Sequence, residues 1–131
     1  MNAAMAFDEV HQRLFVSTRK PFRLLVLDAR NGTTLASFDA PERTNQVMFD
    51  KANQRIYIAG DDYLGVIQQK DANHYEELPH VTTAKGAKTA LLVPELRQLY
   101  VAVSPGENKV GGALLLFNVP SGTVVHSPVK N

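Results

Sequence analysis

Short apolar segments separated by polar turns recur along the chain. The stretch MAFDEVHQRLFV at 5–16 matches VMFDKANQRIYI at 47–58 and, more loosely, ALLVPELRQLYV at 90–101. Each copy has an apolar strand, a turn of about five residues and a β-branched, aromatic strand, which predicts an antiparallel hairpin. An internal repeat of this length constrains the architecture more strongly than local propensities do.

Two further strands are predicted after the first hairpin. The segment FRLLVLD at 22–28 has a continuously apolar centre, so we expect a third strand that is covered on both faces. Asn31 and Gly32 favour a tight reversal, and the alternating segment TTLASFD at 33–39 predicts a fourth, outer strand. The third copy repeats this pattern, because LLLF at 114–117 matches LLVL at 24–27 and SGT at 121–123 matches NGT at 31–33.

The pattern therefore predicts three four-stranded antiparallel meanders, over residues 2–42, 45–84 and 88–126. The predicted fourth strands are Tyr75–Leu78 in the second unit, which is weak, and 122–126 in the third. Meanders of four strands that repeat about every 40 residues are typical of β-propeller blades. A plain β-sandwich is the competing architecture. We expect Phe15, Tyr57 and Tyr100, which occupy the same repeat position, to lie in the core.

The second strands read RLFVST (13–18), RIYIAG (55–60) and QLYVAV (98–103), and the segments LLVLDARNGTTLASF (24–38) and LLLFNVPSGTVV (114–125) follow in the first and third units. These motifs resemble the YVTN-type β-propellers, which include the haem d1 domain of nitrite reductase and lactonase-like bacterial propellers. The resemblance implies a fold and no single function, because the functions of such proteins lie on their loops. The second unit departs from the pattern, with Gln68 where Asp28 and Asn118 stand.

Three blades are fewer than the four to eight of typical closed propellers. We therefore expect half of a six-bladed ring, closed by a homodimer in which the head of each copy packs on the tail of the other. A piece of a longer protein is the alternative. Since the predicted units begin and end with the chain, the sequence suggests an excised or engineered unit, and a natural half-length chain stays open.

Composition narrows the classes of partner. The chain has 131 residues and a net charge of +1, which argues against nucleic-acid and anionic-membrane binding. It contains no cysteine, so disulfides and thiolate chemistry are excluded. No apolar run approaches the ~20 residues of a membrane span, and no signal-peptide pattern is visible. The compartment stays open, since a cleaved signal would leave no trace.

Residues with catalytic potential are scattered. The four histidines, His11, His74, His80 and His126, share no repeat register and show no metal-ligand spacing, so we predict no metal site and no cofactor. The pair Asp61 and Asp62 is interpreted as turn chemistry at a strand end, and Asp8 and Asp50, which recur by repeat, are interpreted as turn formers.

One candidate ligand site remains. In a propeller, the loops between second and third strands and the connectors between blades lie on one rim. That rim would be modestly basic and would hold a small anionic ligand or an acidic protein partner, although a solvated face without a ligand is the simpler interpretation. Its residues are Arg19, Lys20, Arg43, Asn45, Asp61, Asp62, Lys85, Lys88 and Lys109.

The sequence thus favours a non-enzymatic binding or scaffold module that closes its ring by self-association. A lactonase-like hydrolase is one alternative, although Asn45 and Lys88 at the connector positions make a poor acid/base set. The other alternative is a domain of a larger propeller protein with a redox or sensor role.

Overall fold

The computed structural model describes residues 2–87, 89–105 and 112–120, which form β-strands joined by short turns. The strands are β1 (Asn2–Asp8), β2 (Arg13–Thr18), β3 (Arg23–Asp28), β4 (Thr34–Asp39), β5 (Gln46–Asp50), β6 (Arg55–Ala59), β7 (Tyr63–Asp71), β8 (His74–Thr82), β9 (Thr89–Val93), β10 (Gln98–Val103) and β11 (Ala113–Asn118). The one helical element in these ranges is a 3₁₀ turn, Pro94–Leu96. Within the described ranges no helix is long and apolar enough to cross a membrane.

The strands form three antiparallel sheets in chain order. Sheet 1 is β1-β2-β3-β4, sheet 2 is β5-β6-β7-β8, and sheet 3 has the described strands β9-β10-β11. Within each sheet, consecutive strands pair with each other, so the predicted all-β organisation in antiparallel meanders is confirmed for the described strands. The fourth strand predicted at 122–126 lies outside the described residues.

The turn between the first two strands is the same in all three sheets. Its last residue adopts a left-handed conformation, at Gln12 (φ 58°), Gln54 (φ 53°) and Arg97 (φ 51°). The carbonyl oxygen of that residue accepts a backbone N–H from the residue that follows the last position of the third strand paired with the second. The donors are Ala29, Gln69 and Val119, at 2.9, 2.8 and 2.9 Å. This shared geometry fixes which positions are equivalent between repeats.

Two apolar clusters hold the sheets together face to face. Between sheets 1 and 2, Phe15 is fully buried, and its ring lies 5.2 Å from that of Phe49 and 6.2 Å from that of Tyr75. The aliphatic members of this cluster are Leu24, Val26, Val47, Ile56, Ile58 and Ile67. Between sheets 2 and 3, the buried members are Met48, Tyr57, Ala59, Leu64, Val66, Ala87, Ala90, Leu99, Val101 and Val119.

Alternation along the strands explains why sheet 2 contributes to both clusters. Ile56 and Ile58 point to sheet 1, while Tyr57 and Ala59 point to sheet 3, as the two-residue period of a strand requires. The first strands of neighbouring sheets are in contact, β1 with β5 and β5 with β9. The sheets are therefore stacked blade-like, with their first strands side by side.

Three expectations need correction. The weak strand predicted at Tyr75–Leu78 is the nine-residue strand β8, His74–Thr82; it includes Pro79, which is tolerated because β8 is an edge strand. Tyr100 is only half-buried and points away from sheet 2. The third strand of sheet 1 is covered on one face only, since Leu24 and Val26 are buried while Leu25 and Leu27 are half-buried.

Candidate functional site: two open sheet faces and a loop rim

Sheet 1 turns one apolar face away from sheet 2. Across β1 and β2, Met5 pairs with Val16 and Phe7 pairs with Leu14, so these side chains share the face opposite to Phe15. Met5 and Phe7 are exposed, as is Leu35 on β4. We call this surface the leading face, because sheet 1 comes first in the chain.

Sheet 3 presents a second open face, on its side away from sheet 2. Leu91, Tyr100 and Leu116 form one cross-strand row on it. Leu91, Leu114 and Leu116 are exposed. We call this surface the trailing face.

The exposed apolar residues are concentrated on these two surfaces and their adjoining turns. Among the described residues, eight large hydrophobic side chains are exposed. Six lie on the two faces, and the other two, Val10 and Leu96, lie in the first turns of sheets 1 and 3. A contiguous exposed apolar patch typically marks an interaction surface.

The faces of sheets 1 and 2 that are equivalent to the trailing face by repeat are buried between sheets. The row Leu91–Tyr100–Leu116 corresponds to Met48–Tyr57–Val66 in sheet 2 and to Ala6–Phe15–Val26 in sheet 1. Val26 is 0% and Val66 is 6% exposed because each packs on the following sheet, whereas Leu116 is 53% exposed. The trailing face therefore has the side-chain pattern of two buried faces, and no sheet among the described residues covers it.

Turn carboxylates fasten the sheets to each other at one end of the stack. Asp8, which is buried, accepts a hydrogen bond of 2.9 Å from Gln69 Nε2 in sheet 2 and lies 2.7 Å from Nδ1 of His11. Burial alone would raise the pKa of Asp8, but the hydrogen bonds from Gln69 and His11 outweigh it and hold the pKa below the usual value.

The equivalent Asp50, also buried, accepts hydrogen bonds from Arg97 Nη2 of sheet 3 at 2.8 Å and from Asn53 Nδ2 at 2.7 Å. The sequence explained both aspartates as local turn formers, and their role between sheets was missed. Their partners are 61 and 47 residues away, so no local pattern identifies them. Asn53 adds a second link to sheet 3, a hydrogen bond of 2.9 Å to the carbonyl oxygen of Pro120.

The predicted rim is at the opposite end of the strands, and two pairs of its polar residues meet there. Arg19 Nη2 donates to Asn45 Oδ1 at 3.1 Å. Lys20 and Asp62 are exposed and adopt left-handed conformations, with φ of 55° and 76°. Lys85 is exposed. The predicted rim residues Lys88 and Lys109 lie outside the described residues.

Asp61 and Arg43 form a structural pair on this rim. The Asp61 side chain is buried and accepts from Arg43 Nε at 2.7 Å and from the Gly86 N–H at 2.7 Å. Burial alone would raise the pKa of Asp61, but the Gly86 N–H and the Arg43 guanidinium outweigh it, so the pKa is lowered. Asp61 thereby ties the connector after sheet 1 to the connector after sheet 2.

Close backbone packing at the same place requires a glycine. A Cβ on Gly60 would lie 2.6 Å from the Glu42 carbonyl oxygen and 2.7 Å from Cβ of Pro41. The connector is held there by the Asp61 N–H, which donates to the Glu42 carbonyl at 2.8 Å. These contacts indicate that this part of the rim supports the fold.

The open hollow on the rim is acidic. It has a volume of about 480 Å³, and its charged lining residues are Asp39, Glu42, Asp61 and Asp62. Arg43 is paired with Asp61, and no Lys or Arg is among the described residues that line this hollow. The anionic-ligand site stays a prediction. Substitution of Arg19 or Lys85, two basic residues of the rim, would test it.

The described histidines have partners within the fold. His11 is bound to Asp8, His74 Nδ1 lies 2.9 Å from Asp71 Oδ1, and the His80 ring stacks on Tyr63 with centroids 4.2 Å apart. In the part of the chain that the structure describes, no three His, Asp or Glu side chains are grouped as metal ligands would be.

Comparisons with known proteins add no identification. No protein-family model, no curated protein and no solved structure matches this chain. The two open faces, and the repeat that relates them to the buried ones, are therefore the features from which a function can be inferred.

Proposed function

We propose that the three sheets are consecutive blades of a YVTN-type β-propeller, and that the chain is a non-enzymatic scaffold module that closes a six-bladed ring as a homodimer. The observation that carries this proposal is the equivalence of the open trailing face to two faces that are buried inside the chain. Because the row is apolar in all three sheets, removing it from water lowers the free energy on the trailing face as it does on the two buried faces.

The leading face of a second copy is a suitable surface to cover the trailing face. The leading face of sheet 1 is the repeat equivalent of the faces that sheets 2 and 3 turn toward the preceding sheet. For example, Phe7 corresponds to Phe49, which contacts Phe15, and Tyr100 corresponds to Phe15. Packing the trailing face of one copy on the leading face of another would repeat an internal contact.

Two such contacts related by a two-fold axis close a ring of six blades, within the range found for closed propellers. In the ring, the first strands β1, β5 and β9 of both copies would surround a central channel. The rim loops would then surround one mouth of that channel, which is where a ligand or protein partner of a propeller would bind.

The solution mass of the chain tests this proposal. The expected result of size exclusion with light scattering is a sharp species of twice the 14.4 kDa chain mass. A monomer at micromolar concentration would overturn the homodimer. It would then favour the alternative in which further blades, supplied by a longer polypeptide, cover the two faces.

The lactonase-like alternative can be tested by an activity assay on the same purified protein. A hydrolase would turn over simple lactones or aryl esters, whereas the scaffold module should show no rate above the uncatalysed reaction. If the protein shows turnover and Asp62→Asn abolishes it, the acidic hollow would be the active site.

A further inference from the structure

The turn between β3 and β4 contains an exposed Asn-Gly pair. Asn31 and Gly32 are both exposed, and no other asparagine in the sequence is followed by glycine. The space around Gly32 is open, since a Cβ built on it would meet nothing within 4 Å. Because glycine has no side chain, nothing on that residue shields its backbone nitrogen from the neighbouring Asn31 side chain.

A hydrogen bond holds the Asn31 side chain beside the backbone that follows it. Its Oδ1 accepts the Thr33 N–H at 2.9 Å, the side-chain contact by which asparagine stabilises a turn. The same N–H would stabilise negative charge on Oδ1 if the Gly32 nitrogen attacked Cγ of Asn31, as donors do around a tetrahedral intermediate. The side chain is therefore arranged for ring closure with Gly32.

A second hydrogen bond opposes that reaction. The Gly32 N–H donates to the Asp28 carbonyl oxygen at 2.7 Å, and the nitrogen must lose this proton before it can attack. The Asp28 carboxylate braces the same turn, since it accepts from the Arg30 backbone N–H at 2.9 Å and from Arg30 Nε at 3.1 Å. Attack on Asn31 therefore requires that the turn first opens locally.

We propose that Asn31 is a site of spontaneous deamidation, at a rate set by opening of the β3–β4 turn. When the Gly32 N–H has left the Asp28 carbonyl, the Gly32 nitrogen bonds to Asn31 Cγ and the Cγ–Nδ2 bond breaks. The nitrogen's proton leaves with the amide group as ammonia. Water, the one co-reactant, then opens the five-membered imide at either carbonyl and gives aspartate or isoaspartate. This inference does not depend on the proposed homodimer.

Either product changes the turn that starts β4. Aspartate would place a second carboxylate beside that of Asp28, and like charges repel. Isoaspartate would lengthen the main chain by one carbon and displace Thr33, whose carbonyl oxygen accepts the Asp28 N–H at 2.8 Å. Since β4 is paired only with β3, its first residues would lose contacts that no other strand replaces.

Mass spectrometry after incubation at mildly alkaline pH, in buffer and in urea, tests the proposal. A lysine-specific protease yields a fragment that contains both Asn31 and Asn45, and Asn45 is an internal control because the bulkier Gln46 follows it. We expect acid and isoaspartate products at Asn31 and none at Asn45. The rate at Asn31 should rise with pH, and it should be about tenfold or more higher in urea, where the turn is open.

Three variants complete the test. Arg30→Ala removes a side chain that braces the turn and should speed the reaction in buffer about two- to fivefold, as expected for an exposed ion pair. Arg23→Ala removes contacts with Ser37 and Asp39 at the far end of the same strand pair and should leave the rate unchanged. Asn31→Gln should give no product, because its longer side chain would have to close a larger ring.

Two results would overturn the assignment of the site. One is product at Asn45 in preference to Asn31. The other is an intact Asn31 in the folded protein over about a hundred half-lives of the reaction in urea. Equal rates in buffer and in urea, or an Arg30→Ala rate no higher than that of Arg23→Ala, would overturn control by opening of the turn.

Discussion

Phe15→Ala is expected to destabilise the chain by about 3–5 kcal/mol, the range found when a buried aromatic side chain is removed. Phe15 is fully buried at the contact between sheets 1 and 2, where its ring meets those of Phe49 and Tyr75. Its removal would leave a cavity between those two sheets and abolish the ring contacts with Phe49 and Tyr75. Since domains of this size are stable by only about 5–15 kcal/mol, the loss would remove a large part of the total.

Urea unfolding followed by circular dichroism measures this loss, at one protein concentration because self-association also contributes to stability. Phe15→Leu is the matched control, since it keeps an apolar side chain, leaves a smaller cavity and should therefore cost less than Phe15→Ala. An unchanged midpoint for Phe15→Ala would show that sheets 1 and 2 do not pack as described.

The second large effect concerns assembly. Leu116→Glu should convert the dimer to a folded monomer, because the side chain is exposed in the single chain but would carry a carboxylate into the apolar contact between copies. The two-fold axis places the change in both contacts, so we expect the dissociation constant to rise by about 100-fold or more. Light scattering reports the mass, and far-ultraviolet circular dichroism reports whether the strands are retained.

Val66→Glu provides the contrast, since Val66 occupies the same repeat position in sheet 2 but is buried against sheet 3. This variant should unfold or aggregate, while Leu116→Met should remain a dimer. A Leu116→Glu protein that is still a dimer would mean that the trailing face is not the contact.

Sequence periodicity was sufficient to predict the strands that the repeat marks twice. The pairs β1–β2 and β5–β6 follow from the matching apolar and polar patterns of the segments at 5–16 and 47–58, because alternation of apolar residues sets both the strand and its buried face. The strand β8 was predicted too short, since His74–Thr82 alternates weakly and includes Pro79, a residue that sheets accommodate at edge strands and bulges.

Long-range polar contacts could not be predicted from the sequence. Asp8 and Asp50 were explained by their turns, and Asp61 was assigned to an open rim, yet each carboxylate is buried against a partner from another part of the chain. Such partners depend on how the sheets stack, which no local pattern specifies. The exposure of Tyr100 has a related cause, because its repeat position is buried only where another sheet follows.

Closure of the ring can be tested by cross-linking, since the chain contains no cysteine. Met5→Cys and Leu91→Cys together place one thiol on the leading face and one on the trailing face, at positions whose repeat equivalents, such as Met48 and Ala90, share one cluster. Facing sheets lie about 10 Å apart, so a short bismaleimide suits the gap better than a direct disulfide.

The predicted result is a single covalent dimer band from the double variant and no cross-linked product from either single variant. A ladder of trimers and larger species would show open head-to-tail chains instead of a closed ring. Absence of any cross-link in the double variant would contradict contact between the two faces.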